Sequence, residues 1–214
     1  MSGYVGFRSY QDIDSDFEAQ SFLINSIINR LATTAVVRVV RVSNAGEVAP
    51  VGLLDVVPMV NQVNGDGDPT EHGVIHNVPY FRLQGGTNAI IIDPQVNDIG
   101  IAVFCSRDIS AVKRTKATAN PGSNRKFDWA DALYVGGILN GVPTQYLRTS
   151  ASGIDITSPT AITMNAPSIT IAGTNITING ATAITGTLTN NGHDVGSTHR
   201  HTSSGGVGVG GPPV

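Results

Sequence analysis

Between Thr149 and Leu188 the chain repeats a short unit that suits neither an amphipathic helix nor an ordinary globular core. The unit is apolar–polar–apolar: Ile154-Asp155-Ile156, Ile162-Thr163-Met164, Ile169-Thr170-Ile171, Ile176-Thr177-Ile178, then Ala183-Ile184-Thr185. It recurs every seven or eight residues, with Ser, Thr, Asn, Ala, Gly or Pro between copies. Alternate side chains of a strand point to one face, so each unit reads as a very short strand. Ser158-Pro159, Ala166-Pro167 and Gly173-Thr174 read as turns or bends. The stretch contains one charged residue, Asp155, and no aromatic.

One copy of this ladder is not expected to fold. Each unit turns about two side chains inward, too little burial to offset the entropy of ordering its backbone. Strands this short also leave their edges unpaired. Several copies wound about a shared axis resolve both difficulties: each strand pairs with another chain, and the Ile stripe faces the axis. A single-chain solenoid needs wider, capped coils. A disordered Ser/Thr-rich linker is poor in β-branched apolar residues, which recur here regularly. The expectation for residues 149–190 is therefore an intertwined triple-stranded β-helix.

Composition agrees with a β-rich, fibrous-leaning chain: 6% aromatic residues, 14% charged residues and 25 glycines in 214 residues. Sixteen acidic against 13 basic residues imply no nucleic-acid partner. The lone cysteine, Cys105, excludes an internal disulfide framework and sits in a run, Ile101 to Cys105, that reads as a buried strand. No apolar run is long enough to span a bilayer as a helix. Met1-Ser2-Gly3-Tyr4 does not open a signal-peptide pattern.

Residues 1–32 read as a polar arm followed by a helix. Phe17, Ile24, Ile27, Ile28 and Leu31 fall at helical spacing, with Asp14 or Ser15 as N-cap and Glu18 in the first turn. Residues 33–110 read as a small Greek-key barrel of the oligonucleotide/oligosaccharide-binding (OB) type. Its strands are expected over Thr33–Val42, Val51–Val60, Val74–Leu83, Ala89–Asp93 and Ile101–Cys105. Asn64-Gly65-Asp66-Gly67-Asp68 superficially resembles a calcium loop but lacks the later Gly and the terminal Glu. The barrel lacks interleaved basic and aromatic residues that stack bases, so it reads as a structural collar. Residues 111–148 form a connector. Lys113, Arg114 and Lys116 are a solvated basic patch there, and Leu133, Val135, Ile138 and Leu139 belong to transitional strands.

Residues 191–214 read as a metal-binding apex. In Ser197-Thr198-His199-Arg200-His201 an extended backbone puts His199 and His201 on one side, about 7 Å apart. Two imidazoles are too few for a tight site. Three chains around a three-fold axis bring six nitrogens to one ion, which favours an octahedral ion, most simply Fe(II), over tetrahedral zinc. His193 reads as structural, and His72 and His76 receive no role. The Gly-rich end, Ser203 to Val214, reads as a compact cap.

Taken together, Asp98-Ile99-Gly100 with the Ile101–Cys105 strand and Ser106-Arg107-Asp108-Ile109-Ser110, the Ile-x-Ile ladder, Asp194-Val195-Gly196-Ser197-Thr198-His199-Arg200-His201 and the Gly-rich end resemble the central spike proteins of contractile-tailed bacteriophages. The resemblance implies an N-terminal OB-type barrel, a homotrimeric β-helix, and one buried iron ion held by a His-x-His pair from each subunit. It carries over to His199 and His201 alone; Arg200 stands where Thr is common in that family. It further implies a place in the virion at the distal tip of the baseplate, contacts with tail-tube and hub proteins, and passage through the host outer membrane. No lysozyme-like domain is expected and no enzymatic role, since no nucleophile–base grouping or close carboxylate pair stands out. A receptor- or glycan-binding trimeric fibre, or the spike of a phage-derived injection machine, is the alternative.

Overall fold

The computed structural model describes residues 15–44, 48–64, 66–196 and 199. The chain divides into two compact units at Asp155/Ile156.

The first unit opens with helix α1, Asp16–Ile28. Ser15 is extended (φ −150°, ψ 158°) and its hydroxyl accepts a hydrogen bond from the Glu18 backbone N–H at 3.2 Å. That bond satisfies one of the orphan donors at the helix start, and Asp16 and Glu18 place negative charge beside the others.

Five strands then build one antiparallel sheet that curls into a half-barrel. They are β1 (Thr34–Val42), β2 (Leu53–Pro58), β5 (Ile75–Pro79), β8 (Ile99–Phe104) and β9 (Ala132–Gly137), in spatial order β5-β2-β1-β8-β9. Two small hairpins lie between them: β3 (Gln62–Val63) with β4 (Pro69–Thr70), and β6 (Leu83–Gly85) with β7 (Asn88–Ile90). The two edges of the sheet approach each other at one point. Tyr80 and Tyr134 form a parallel bridge, and the Phe81 N–H donates to the Tyr134 carbonyl at 2.7 Å.

Alternation along β1 decides which face is buried. Val37 and Val39 are fully buried while Arg38 and Val40 are exposed. Leu54 and Val56 from β2, Val78 from β5, Ala102 from β8 and Ala132 and Tyr134 from β9 complete the core. The register of β1 on β2 shifts between Val39 and Arg41, and a second irregularity in β8 against β9 falls between Ile101 and Ala102. Such bulges increase local twist and help a sheet curl.

Three segments depart from the sequence reading. The fifth strand of the sheet is β9, in the stretch read as transitional, because Gly136 and Gly137 continue the edge strand instead of ending it. The Ala89–Asp93 strand is only the short, exposed β7, which pairs with β6 and not with the sheet. Cys105 lies one residue beyond β8 and is half-buried, with burial pushing its thiol pKa up.

Gly100 marks where β8 and β9 come closest. A Cβ there would lie 2.3 Å from the Tyr134 hydroxyl and 2.4 Å from the Gly136 carbonyl oxygen. Backbone cannot step aside as a flexible side chain can, so Gly100→Ala should lose about 1–3 kcal/mol in urea unfolding. Gly141→Ala, which has nothing within 4 Å, is the control and should stay close to wild type. Equal midpoints for the two variants would refute the packing argument.

Candidate functional site

The repeat region is the least conventional part of the molecule. Strand β10 (Tyr146–Ser150) pairs with β11 (Gly153–Thr157), which covers the first Ile pair. From Ser158 to Leu188 there is neither helix nor strand. The large apolar side chains of the ladder nevertheless remain on the outside, from 39% exposed at Leu188 to 71% at Ile178. The charged residue of the ladder, Asp155, is engaged within its own chain: Arg148 Nη2 lies 2.6 Å from Asp155 Oδ2. Both partners are well exposed, so the pair adds little stability.

The ladder ends in a hairpin, β12 (Thr189–Asn190) with β13 (His193–Asp194). Its two-residue turn is Asn191-Gly192, with φ of 50° and 80°. Both values are positive, as a type I′ turn requires, and Asn-Gly is the pair that tolerates this best. The Val195 N–H donates to the Leu188 carbonyl at 2.9 Å, extending the pairing by one step. His193 sits in this hairpin opposite Asn190, which is a structural position.

His199 follows in a tight turn. Asp194 Oδ1 accepts from the Gly196 N–H at 2.8 Å, and the Gly196 carbonyl lies 2.6 Å from His199 Nδ1. A carbonyl can only accept, so His199 Nδ1 is the donor in this contact. A ring oriented by a carbonyl on one nitrogen is the usual arrangement of a metal-ligating histidine. The residue type and this ring orientation therefore fit the expected ligand. His201, Arg200 and the Gly-rich end lie outside the described residues. Among the described residues no three His, Cys, Asp or Glu side chains converge as a metal-binding group within one chain.

The remaining sequence candidates are structural in place. Asn64 Oδ1 accepts from the backbone N–H groups of Asp66 (3.0 Å) and Asp68 (2.8 Å), so its side chain closes the β3–β4 turn. His72 packs against Trp129, with ring centroids 4.8 Å apart. His76 Nδ1 lies 3.0 Å from Asp55 Oδ2. Asp55 also receives Arg41 Nε at 2.7 Å and the Asn77 N–H at 3.0 Å. The Arg41 bond is the main cause holding the Asp55 carboxyl far below its usual range, which makes it a poor proton acceptor near neutral pH. Glu71, His72, His76, Asp128 and Trp129 line an open cleft of about 560 Å³.

The connector carries an ionic staple that sequence periodicity does not reveal. Helix α2, Ser110–Thr115, replaces part of the expected polar loop and contains Lys113 and Arg114, with Lys116 as its left-handed C-cap. Before it, Asp108 accepts from the Ser110 N–H (2.8 Å) and the Ser123 hydroxyl (2.7 Å). Arg125 reaches Asp108 at 2.9 Å and straddles Asp131, with Nε and Nη2 each 3.1 Å from a carboxylate oxygen. Asp131, fully buried, also accepts from the Ile109 N–H at 3.0 Å. Two carboxylates and one guanidinium thus tie residues 108–131 together immediately before β9.

Compared with protein-family models and with curated proteins, the chain matches none.

Hydrogen bonds from the Ser110 side chain and backbone and from Ser123, with Arg125 adding its charge, hold the Asp108 carboxyl down at about 2. A depressed carboxyl stabilises the fold fully above its unfolded value of about 4 and loses that contribution as pH falls toward 2. The urea midpoint of the wild type should therefore drop between pH 4 and pH 2. Asp108→Asn should start lower at pH 5 and fall less steeply. Parallel curves for the two proteins would show that this carboxylate is not a source of the acid sensitivity.

Proposed function

We propose that the chain is a non-enzymatic central spike at the tip of a contractile phage tail, acting as a homotrimer. The observation that carries this reading is the ladder: backbone with neither helix nor strand between Ser158 and Leu188, regularly spaced and exposed Ile, Met and Leu side chains, and no strand pairing for it among the described residues. Side chains of this kind stay out of water only if other chains cover them. Identical copies are the simplest cover, because each supplies the same period and the same unpaired backbone groups.

In this assembly the three ladders wind about one axis with the Ile pairs inward and main-chain hydrogen bonds running between chains. The curled sheet of the first unit is an OB-type barrel. Its five strands, antiparallel order and edge-to-edge contact at Tyr80 and Tyr134 support that reading. His199 and His201 of each copy hold one iron ion at the apex, and the orientation of the His199 ring by the Gly196 carbonyl supports the assignment. The ion supplies six-coordinate cross-linking and no reactivity. The chain's own residues supply the rest. Ladder side chains exclude water from the axis, and the near-absence of charge between Thr149 and Leu188 permits close packing of the three chains.

Mechanically, the spike sits at the distal tip of the baseplate, attached to tail-tube and hub proteins. Sheath contraction supplies the work that drives it through the host outer membrane. A narrow trimer disturbs a small bilayer area, and a metal-clasped end resists fraying under axial load.

Native mass spectrometry with metal analysis of the purified chain tests the reading. The expected species is a trimer with one iron ion, resistant to denaturant. In the His199→Ala, His201→Ala double variant the iron should be lost and the apex should become protease-sensitive, while the first unit keeps its thermal transition. A monomer without bound transition metal would overturn the proposal.

A further inference from the structure

Asn-Gly occurs four times in the chain, beginning at Asn64, Asn140, Asn179 and Asn191. In this dipeptide the glycine backbone nitrogen can attack the asparagine Cγ, because no Cβ on the glycine stands in the way. Ring closure needs the asparagine side chain to be free and its backbone to rotate. All four asparagines are exposed, so access to water does not separate them. Their restraints do. Asn64 Oδ1 accepts from two backbone N–H groups, those of Asp66 and Asp68. Asn140 Oδ1 accepts from the Ile99 N–H at 2.8 Å, which pins it beside the start of β8. Either side chain must first leave its partners, so only a locally opened fraction can react.

Asn191 is held by its backbone. It has φ of 50° in the two-residue turn of the β12–β13 hairpin, and the strand pairing on either side keeps that turn closed. Asn179 carries no such restraint. It follows the Ile176-Thr177-Ile178 unit in a segment with neither helix nor strand. Among the described residues its side chain makes no hydrogen bond, and neither does the Gly180 N–H. Gly180 has φ of 130°, and a Cβ there would meet nothing within 4 Å, so the attacking nitrogen is uncrowded.

We propose that Asn179 is a site of spontaneous deamidation and the first of the four to convert. The Gly180 nitrogen bonds to Asn179 Cγ and gives up its proton, and the side-chain amide nitrogen departs as ammonia, leaving a succinimide. Water then opens the ring: its hydroxyl adds to one carbonyl carbon and its hydrogen returns to the nitrogen, giving aspartate or isoaspartate. One water is consumed and one ammonia released. Either product adds a carboxylate to a stretch whose one charged residue is Asp155. Isoaspartate also routes the backbone through the former side chain, which lengthens it within a repeat of seven or eight residues. In the trimer proposed above, three like charges would then share one level of the ladder, which disfavours close packing. The chemistry itself uses residues of one chain and does not rest on that reading.

The full chain, incubated at mildly alkaline pH and sampled over time, tests it. Digestion at low pH followed by electron-transfer fragmentation localises each conversion and separates aspartate from isoaspartate. In the native chain Asn179 should convert first and Asn191 later, with Asn64 and Asn140 unchanged when most of Asn179 has reacted. In chain unfolded by guanidinium the four should convert together, since the restraints are gone. Asn179→Gln should remove the early conversion and leave the rates at the other three unchanged. Another asparagine reacting first in the native chain, all four reacting together there, or Asn179 staying intact while the unfolded chain converts, overturns the inference. None of these outcomes depends on subunit number, so the spike reading stands or falls by its own measurement.

Discussion

Water is a poor neighbour for the apolar side chains between Ile154 and Leu188, which stay 39–71% exposed among the described residues. That one constraint shapes the C-terminal region. The usual remedy, folding a strand back on its predecessor, serves the first pair in β11 but not the later ones, where Ser, Thr, Asn, Gly or Pro interrupts before a strand can lengthen. A segment with too few residues per strand to pair with itself must either stay open or pair with its copies. The regular spacing of seven or eight residues matters here, since only a repeat in fixed register lets identical chains satisfy one another at every level.

The first unit meets its own requirements differently. Its core is small, a dozen residues including Val37, Val39, Leu54 and Val56. Beside it, Arg82 pairs with Asp93, Arg41 with Asp55, and Arg125 with Asp108 and Asp131, and in each pair the carboxylate is buried. Buried ion pairs seldom raise stability above that of a well-packed apolar core, but breaking one strands the other. They favour one arrangement of loops over its competitors. Their inward placement also leaves apolar side chains to cover the outside, which is what the β6–β7 hairpin displays.

Local chemistry made some of this legible in the sequence. Ser15 with Glu18 announces a helix start because the cap acts within one turn. The Val37/Arg38/Val39 alternation announces a strand face because the period is set by the backbone alone. Other features left weaker traces. Strand β9 was obscured by Gly136-Gly137, which read as a break although an edge strand tolerates them. The Asn191-Gly192 hairpin carried a clear turn pair, but its strands are two residues long and offer no alternation to flank it. The Asp108–Arg125–Asp131 staple depends on ion pairs 17 and 6 residues apart, and charged residues that meet in space need have no periodicity in sequence. At the histidines, the His-x-His spacing and its place at the end of the ladder suggested a ligand, while the orienting carbonyl of Gly196 emerges only from the folded turn.

The hairpin and the ladder pose the same problem at two scales. In both, an ion pair forms within the chain while apolar side chains stay exposed: Asp155 has Arg148 and Asp93 has Arg82, yet Ile156 and Ile92 face outward. Between the copies of the proposed trimer, the exposed apolar side chains of the ladder would contribute contacts that salt screens only weakly. For a structure that would cross a membrane surface under load, apolar packing between copies is the interaction least weakened along the way.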